Sequence, residues 1–438
     1  MNRLRALWLN LNASLWFVPT LMVAGAVLLA FTLIFVDLRI AHDWLKDYPL
    51  VFGAGSDGAR GMLTAIAGSM ITVAGLIFSL TLSTLAQISS QYTPRVLRNF
   101  MRDRANQMVL GFFVSIFVYC LIVLRTIRGG DEGSFIPSLA VLMGLVLALV
   151  SIGVLIFFIH HIASSIQASN IVRNATEETE AAIQRLFPNE LGQEANPSEA
   201  QELLEKAGQL TWLAIPSHTN GYLQSIDEEG LLKLARDLDG VVRMEHGIGG
   251  FVARGAALVS VASYGNERVL VDDKLKDRVN EQFGLGSQRT IEQDAGFGLR
   301  QIVDIALKAL SPGVNDTTTA IISVDYLGAL LAQLADRRLA HPLRADDDRV
   351  RVIAVRPSFE QFLSTAFDQI RICADGNAAV YLRMLTALAT IEQRIQDPKR
   401  SQALRQQREL IGEAAEQTLH TEYERAQVRL RIAKHKTS

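Results

Sequence analysis

GMLTAIAGSMITVAGLIFSLTLSTLAQI, residues 61–88, carries no Asp, Glu, Lys or Arg over its whole length. A helix rises 1.5 Å per residue, so roughly 20 mostly apolar residues cross the ~30 Å hydrocarbon layer of a bilayer. This stretch exceeds that length, and its chemistry is unusual for a span. At helical spacing, Gly61, Thr64, Gly68, Thr72, Gly75, Ser79 and Ser83 follow one another by three, four, four, three, four and four positions. They form one stripe of small and hydroxyl side chains. Met62, Ile66, Ile71, Val73, Ile77 and Leu80 occupy the other face, suited to lipid or to a neighbouring helix.

Outward from it lie three more apolar runs, from about Ser14 to Val36, Gln107 to Leu124 and Phe135 to His160. Trp8, Trp16 and Phe17 stand near the start of the first as interfacial anchors. Asp37 follows that run where a signal peptide would have a small-residue cleavage site, so it reads as a retained anchor. The expected fold is an α-helical membrane protein with four transmembrane helices and a C-terminal α+β cytoplasmic domain. Its expected divisions are a four-helix transmembrane domain over 1–166, a helical linker region over 167–208, a β-rich subdomain over 209–290 and a helical subdomain over 291–438.

Composition agrees with a chain divided in this way. Hydrophobic residues make up 49% of the 438 positions, and their excess falls before residue 166. The net charge of −2 gives no global bias toward nucleic acid. The two cysteines, Cys120 and Cys373, exclude a disulfide framework.

Orientation follows from Lys and Arg in the short flanks. Arg3, Arg5, Arg95, Arg98, Arg102 and Arg104 lie on one side. Arg39, Lys46, Arg60, Arg125 and Arg128 lie on the other, diluted by Asp37, Asp43, Asp47, Asp57, Asp131 and Glu132. The first side is expected to be cytoplasmic, so that the chain crosses a bacterial inner membrane several times with both termini in the cytoplasm. Arg95, Arg98 and Arg102 share one helical face just outside the second span. That face anchors the membrane interface, or binds anionic lipid headgroups or anions at a pore mouth. His160 and His161 are adjacent, so they point about 100° apart and make no metal pair. An interfacial role fits them, with pH sensing as the alternative.

The stripe has two physical readings. Small residues let helix backbones approach closely, with hydroxyls bonding across the contact. Alternatively, copies of the stripe line a wet path, where hydroxyls and bare backbone are weak, exchangeable ligands. No span carries a charge at its centre, which argues against an ion-coupled transporter or proton relay.

Beyond the spans, Ile162 to Leu186 reads as a helical continuation of the fourth run, and LFPNELGQEANPSEA as a linker. TWLAIPS, GYLQSI, GVVRMEH, FVARG and ALVSVAS read as strands of a small barrel- or sandwich-like part, with an arrangement like the small sandwich barrels of the biotinyl and lipoyl type. No Lys stands in the turn that would be modified, and GIGGFVARG precedes a strand rather than a helix, so no cofactor is expected. His218, Glu245 and His246 have no third partner for metal or acid–base chemistry. Asp294 is placed to cap FGLRQIVDIALKAL, with Arg300, Asp304 and Lys308 as a ladder on its outer face. That helix stops at Ser311-Pro312-Gly313, and Asn315 or Asp316 caps TTTAIISVDYLGALLAQL. RVRVIAV reads as a strand, and Lys399 to Lys434 as one long charged helix.

With these blocks in place, the chain resembles over nearly its full length the bacterial predicted-membrane-protein family called domain of unknown function 2254. The most specific block is Ala309-Leu310-Ser311-Pro312-Gly313-Val314-Asn315-Asp316, matching an ALSP-x-x-ND pattern. Members often continue with Pro, where this chain has Thr317. The resemblance implies architecture and no activity. Ser311, Pro312, Gly313, Asn315 and Asp316 punctuate two helices, or form a loop facing a ligand or subunit. The expected function is an oligomeric channel or channel-like transporter; the alternative is a membrane-anchored binding or scaffold module. Expected partners are the lipid bilayer, further copies of the chain, and anions, ions or anionic lipid. No nucleic acid, metal or enzyme activity is expected.

Overall fold

A computed structural model describes residues 16–39, 55–91, 103–128, 135–165, 167–187, 210–265, 270–337, 339, 342–346 and 349–434. The chain is mostly helical and folds as two compact units dividing at Ile171/Val172. The N-terminal unit contains α1 (Phe17–Arg39), α2 (Ser56–Gln91), α3 (Arg104–Thr126) and α4 (Ser138–Ser165). All four are long and apolar enough to cross a membrane.

Burial identifies α3 as the central helix. Half of its apolar window is buried, against 17% for α1 and α4 and 28% for α2. Gly111 explains how closely α1 approaches it: a Cβ there would lie 2.9 Å from Pro19 Cα and 2.8 Å from Met22 Sδ. The outer surface carries Leu28, Phe31, Leu149, Ile152 and Ile156, all exposed. A soluble surface would not hold so much contiguous apolar area; lipid tails cover it without cost.

Polar ties close both ends of the bundle. At one end, buried Asp37 accepts from the amides of Leu139 and Ala140 at 3.2 and 3.1 Å, capping the start of α4. Arg60 Nη2 donates to the Ile127 carbonyl at 2.9 Å nearby. At the other end, Asp103 caps α3 through Ala105 N at 2.9 Å and pairs with His161 Nε2 at 2.5 Å.

The expected continuation of the fourth span is interrupted. The helix stops at Ser165 and α5 (Ala168–Leu186) begins afresh. Asn170 Nδ2 donates to the Ser164 carbonyl at 2.7 Å, satisfying an acceptor left open by the break.

In the C-terminal unit, β1 (Leu213–Pro216), β2 (Gly221–Ile226), α6 (Glu228–Asp237), β3 (Gly240–Met244), β4 (Phe251–Val252), β5 (Ala257–Ser263), α7 (Asp273–Asn280) and β6 (Phe283–Gly286) follow in order. Next come α8 (Ala295–Ala309), α9 (Thr317–Ala335), β7 (Leu343–Asp346), β8 (Arg349–Ile353), α10 (Phe359–Cys373), α11 (Ala378–Glu392), α12 (Pro398–Thr418) and α13 (Glu422–Lys434).

The expected small barrel is not found among the described residues. The strands form a five-stranded sheet, β1-β5-β3-β8-β7, and a three-stranded sheet, β4-β2-β6. Two sequence features account for this. The helix α6 separates β2 from β3, and β8 arrives from over a hundred residues later to pair in parallel with β3, Val242 opposite Val352. Parallel pairing needs a crossover of about a dozen residues or more, and this connection far exceeds it. Val242, Val261, Leu223 and Phe283 share one core with Leu231 and Leu234 of α6.

Helix starts in this unit carry side-chain caps. Asp227, Asp272, Asp294, Asp316, Ser358 and Asn377 each accept from the backbone of the turn they precede. The long final helix expected from Lys399 to Lys434 is instead a hairpin of α12 and α13. Thr421 and Glu424 form reciprocal bonds, Glu424 N to Thr421 Oγ1 at 3.2 Å and Thr421 N to Glu424 Oε2 at 3.3 Å. That Thr-x-x-Glu capping box restarts the helix, and Arg429 then reaches back to pair with Glu416. Asp304, expected on an outer face, is buried and paired with Arg300 at 2.8 Å.

The fifth helix long and apolar enough to cross a membrane is α9. It lies inside the C-terminal unit, where 56% of its window is buried. Gly328 lets it approach α11, a Cβ there lying 2.8 Å from the Ala387 Cβ. Arg383 of α11 also pairs with Asp325 on its surface.

Candidate functional site

On α2, the residues turned into the bundle are Ala59, Leu63, Ala67, Met70, Ala74 and Ile77, spaced by three and four. This row was not singled out in the sequence, because alanines do not stand out among glycines and serines. The face assigned there to Met62, Ile66, Ile71, Val73, Ile77 and Leu80 divides: Ile77 is buried, Ile71 and Leu80 are exposed, the rest half-buried.

The stripe itself points outward. Gly61, Thr64, Gly68, Thr72, Gly75, Ser79 and Ser83 are all exposed. A Cβ built on Gly61, Gly68 or Gly75 would meet no atom of the described residues within 4 Å. Close packing against the described residues therefore does not explain these glycines. Thr72 Oγ1 donates to the Gly68 carbonyl at 2.8 Å, and Ser69 Oγ donates to Ala65 O at the same distance. Donors bonded back to their own helix can face lipid cheaply, while the oxygens keep lone pairs for a partner.

Ser311 to Asp316 form a tight link between α8 and α9. Ser311 Oγ donates to Lys308 O at 2.6 Å, and Asp316 N donates to Ala309 O at 2.7 Å. Asn315 takes a left-handed φ of 49°, which Asn tolerates better than most residues. Of the two candidate caps, Asp316 does the work: Oδ1 accepts from Thr319 N at 3.0 Å and Oδ2 from Thr319 Oγ1 at 2.5 Å. The Thr317 hydroxyl accepts from Asn377 Nδ2 at 2.8 Å, tying the link to the start of α11, a bond a proline at 317 would lose.

The sequence matches the family described as predicted membrane protein, domain of unknown function 2254, over residues 12–390. The chain belongs to this family. Uncharacterized proteins of Mycobacterium bovis and Mycobacterium tuberculosis are each 33% identical to this predicted membrane protein over 435 residues, covering 98% of it and 81% of theirs. No solved structure matches it.

The link between α8 and α9 in this predicted membrane protein spends its polar groups on helix punctuation, and this yields a prediction. The hydrogen bonds from Thr319 hold the Asp316 carboxyl below the usual carboxylate range. A carboxyl with a depressed folded pKa stabilises above its unfolded pKa of about 3.9, and that contribution is lost as pH falls through the folded pKa. Asp316→Ala is expected to lower stability by about 1 kcal/mol at pH 7. In urea titrations the gap to wild type should narrow below about pH 4.

Arg95, Arg98 and Arg102 lie outside the described residues. His161 is held by Asp103 and stacks on Phe157 at 5.7 Å, and His218 lies 3.6 Å from Asp277. Glu245 accepts from Ser260 Oγ at 2.5 Å and from Arg243 Nε at 3.0 Å. Sequence reading missed two features: the buried Asn106 on α3, whose side-chain atoms have no hydrogen-bond partner among the described residues, and a cavity at the starts of α6 and α8. The cavity's lining comes from segments far apart in the chain, and no local pattern announces it.

Proposed function

We propose that this chain is the protomer of an oligomeric channel or channel-like transporter. In this reading α1 to α4 cross the bilayer and the small-residue face of α2 meets a neighbouring copy or a shared path. The C-terminal unit lies in the cytoplasm as a gating or assembly domain. The carrying observation is the outward face with empty space over Gly61, Gly68 and Gly75. Glycine costs a helix about 1 kcal/mol relative to alanine. Three of them on one exposed face, with hydroxyls between, suit a surface that another backbone approaches or water wets. The helix α9 stays with the C-terminal unit in this reading, because its apolar surface is largely spent there.

Thr72→Asp tests the reading. A dry lipid or helix contact penalises a central Asp by at least ~2.5 kcal/mol, whereas a wet lumen tolerates it. The variant is expected to assemble as wild type does and to alter ion flux from liposomes. Wild-type protein without conductance across voltages and membrane tensions would leave the anchored module as the better reading.

Topology has its own test. A reporter active only outside the inner membrane should be silent when fused after Ser438 and active when inserted near Gly55. The opposite pattern would invert the positive-inside assignment.

A further inference from the structure

The starts of α6 and α8, the end of α5 and the segment Val355–Pro357 enclose a cavity of about 290 Å³ in the C-terminal unit. Its walls are largely apolar, with Phe187, Leu231, Met244, Ile248, Val352 and Phe362 among them. At this apolar wall stand Arg344 and Arg356, both reaching one carboxylate. Arg356 Nη2 donates to Glu228 Oε1 at 2.5 Å, and Arg344 Nη2 lies 3.8 Å from Glu228 Oε2. Arg356 Nε is buried and has no hydrogen-bond partner among the described residues. A buried, unsatisfied donor on a charged side chain is costly, so its retention needs a reason.

The other acids here have work of their own. Asp227 Oδ1 accepts from Gly230 N at 3.0 Å. Asp294 accepts from Phe297 N at 2.9 Å and from Arg289 Nη2 at 2.7 Å. Burial pushes the Asp294 carboxyl up and the Arg344 guanidinium down, the mark of dry surroundings at both. Glu229 is exposed. A second cavity of about 570 Å³ adjoins the first and shares Arg356 and Phe362 with it.

We propose that this cavity binds a small anionic amphiphile, its carboxylate or phosphate head on Arg356 and its apolar body against Phe187, Met244 and Phe362. An arginine donor in a low-dielectric wall favours a charged acceptor over a neutral one. A dry cavity of 150 Å³ accepts benzene, so by proportion this one takes a molecule of about twelve heavy atoms. The site stands whether or not the membrane unit conducts.

The test uses full-length protein in nanodiscs of zwitterionic lipid, titrated calorimetrically with octanoate, octanol, octylamine and acetate against empty nanodiscs. Saturable octanoate binding is expected, at least tenfold tighter than octanol, with no binding of acetate or octylamine. Arg356→Met should weaken octanoate at least tenfold and leave octanol unchanged. Val355→Trp, a change at a half-exposed lining residue, should block both ligands while circular dichroism stays that of wild type. Loss of octanoate binding in nanodiscs of anionic lipid would identify a lipid headgroup as the source of the same chemistry. Preference for octylamine, octanoate binding indifferent to Arg356→Met, or no saturable octanoate binding at millimolar concentration would each overturn the proposal.

Discussion

Gly111→Leu is expected to prevent the N-terminal unit from folding, while Gly75→Leu leaves it folded. Both put the same isobutyl group on a spanning helix, and the difference lies in what surrounds it. At Gly111 even a methyl would press on the backbone of α1, with Pro19 Cα 2.9 Å away. Proline cannot rotate out of the way, and α3 is held between α1, α2 and α4. Overpacking a closed core costs about 1–3 kcal/mol, and more when backbones must part. At Gly75 the added group enters open space. Cys120 provides the readout: it is fully buried in the bundle, and Cys373 is exposed and can first be changed to Ser. Thiol alkylation of Cys120 should be fast in Gly111→Leu and as slow as wild type in Gly75→Leu. The second variant should instead lose oligomer, if the stripe is a contact between copies, or change flux if it lines a path. Fast alkylation of Cys120 in both variants would mean that the stripe faces inward, and slow alkylation in both would mean that the contact at Gly111 has room to spare.

That contrast also marks where the sequence stops being informative. Hydropathy alone located α1 to α4, because a bilayer imposes length and composition on each span independently. It also exposed the stripe on α2, since residues spaced by three and four share a face in any helix. Which way the face turns depends on the other three helices, and the alanines that point inward look no more buried than the glycines that point outward. Caps were legible at Asp294 and Asp316, where the signal lies within one turn. The box at Thr421 and Glu424 was equally local, but the charged run around it hid it. The barrel failed for the opposite reason: strand identities were largely local, whereas pairing β3 with β8 depends on residues a hundred positions apart. The cavity around Arg356 is of the same kind, assembled from the ends of α5, α6 and α8.

Arg408 carries the second large expected effect. Its side chain on α12 is only 5% exposed, and Nη2 donates to Glu392 Oε2 at 2.6 Å while Nε is buried without a partner among the described residues. Arg408 belongs to the run that reads from sequence as one long charged helix, yet it lies buried under the packing of α12 on α11. Removing one member of such a pair strands the other, at about 3–5 kcal/mol when both are buried. Glu392 is 34% exposed, so water can partly replace it and the cost of Glu392→Leu should fall to about 3 kcal/mol or less. Arg408→Met keeps most of the apolar stem and leaves the carboxylate at the wetter end, so it should cost less than Glu392→Leu. The double variant, Arg408→Met with Glu392→Leu, should recover much of the loss, because an apolar pair needs no desolvated charge. The cycle is measured by urea unfolding followed in the tyrosine and tryptophan fluorescence of the C-terminal unit. A coupling energy of about 1 kcal/mol or more, with the double variant closer to wild type than Glu392→Leu alone, is the expected result. Strict additivity would show instead that Arg408 draws its burial from packing of its stem, with Glu392 only passing by.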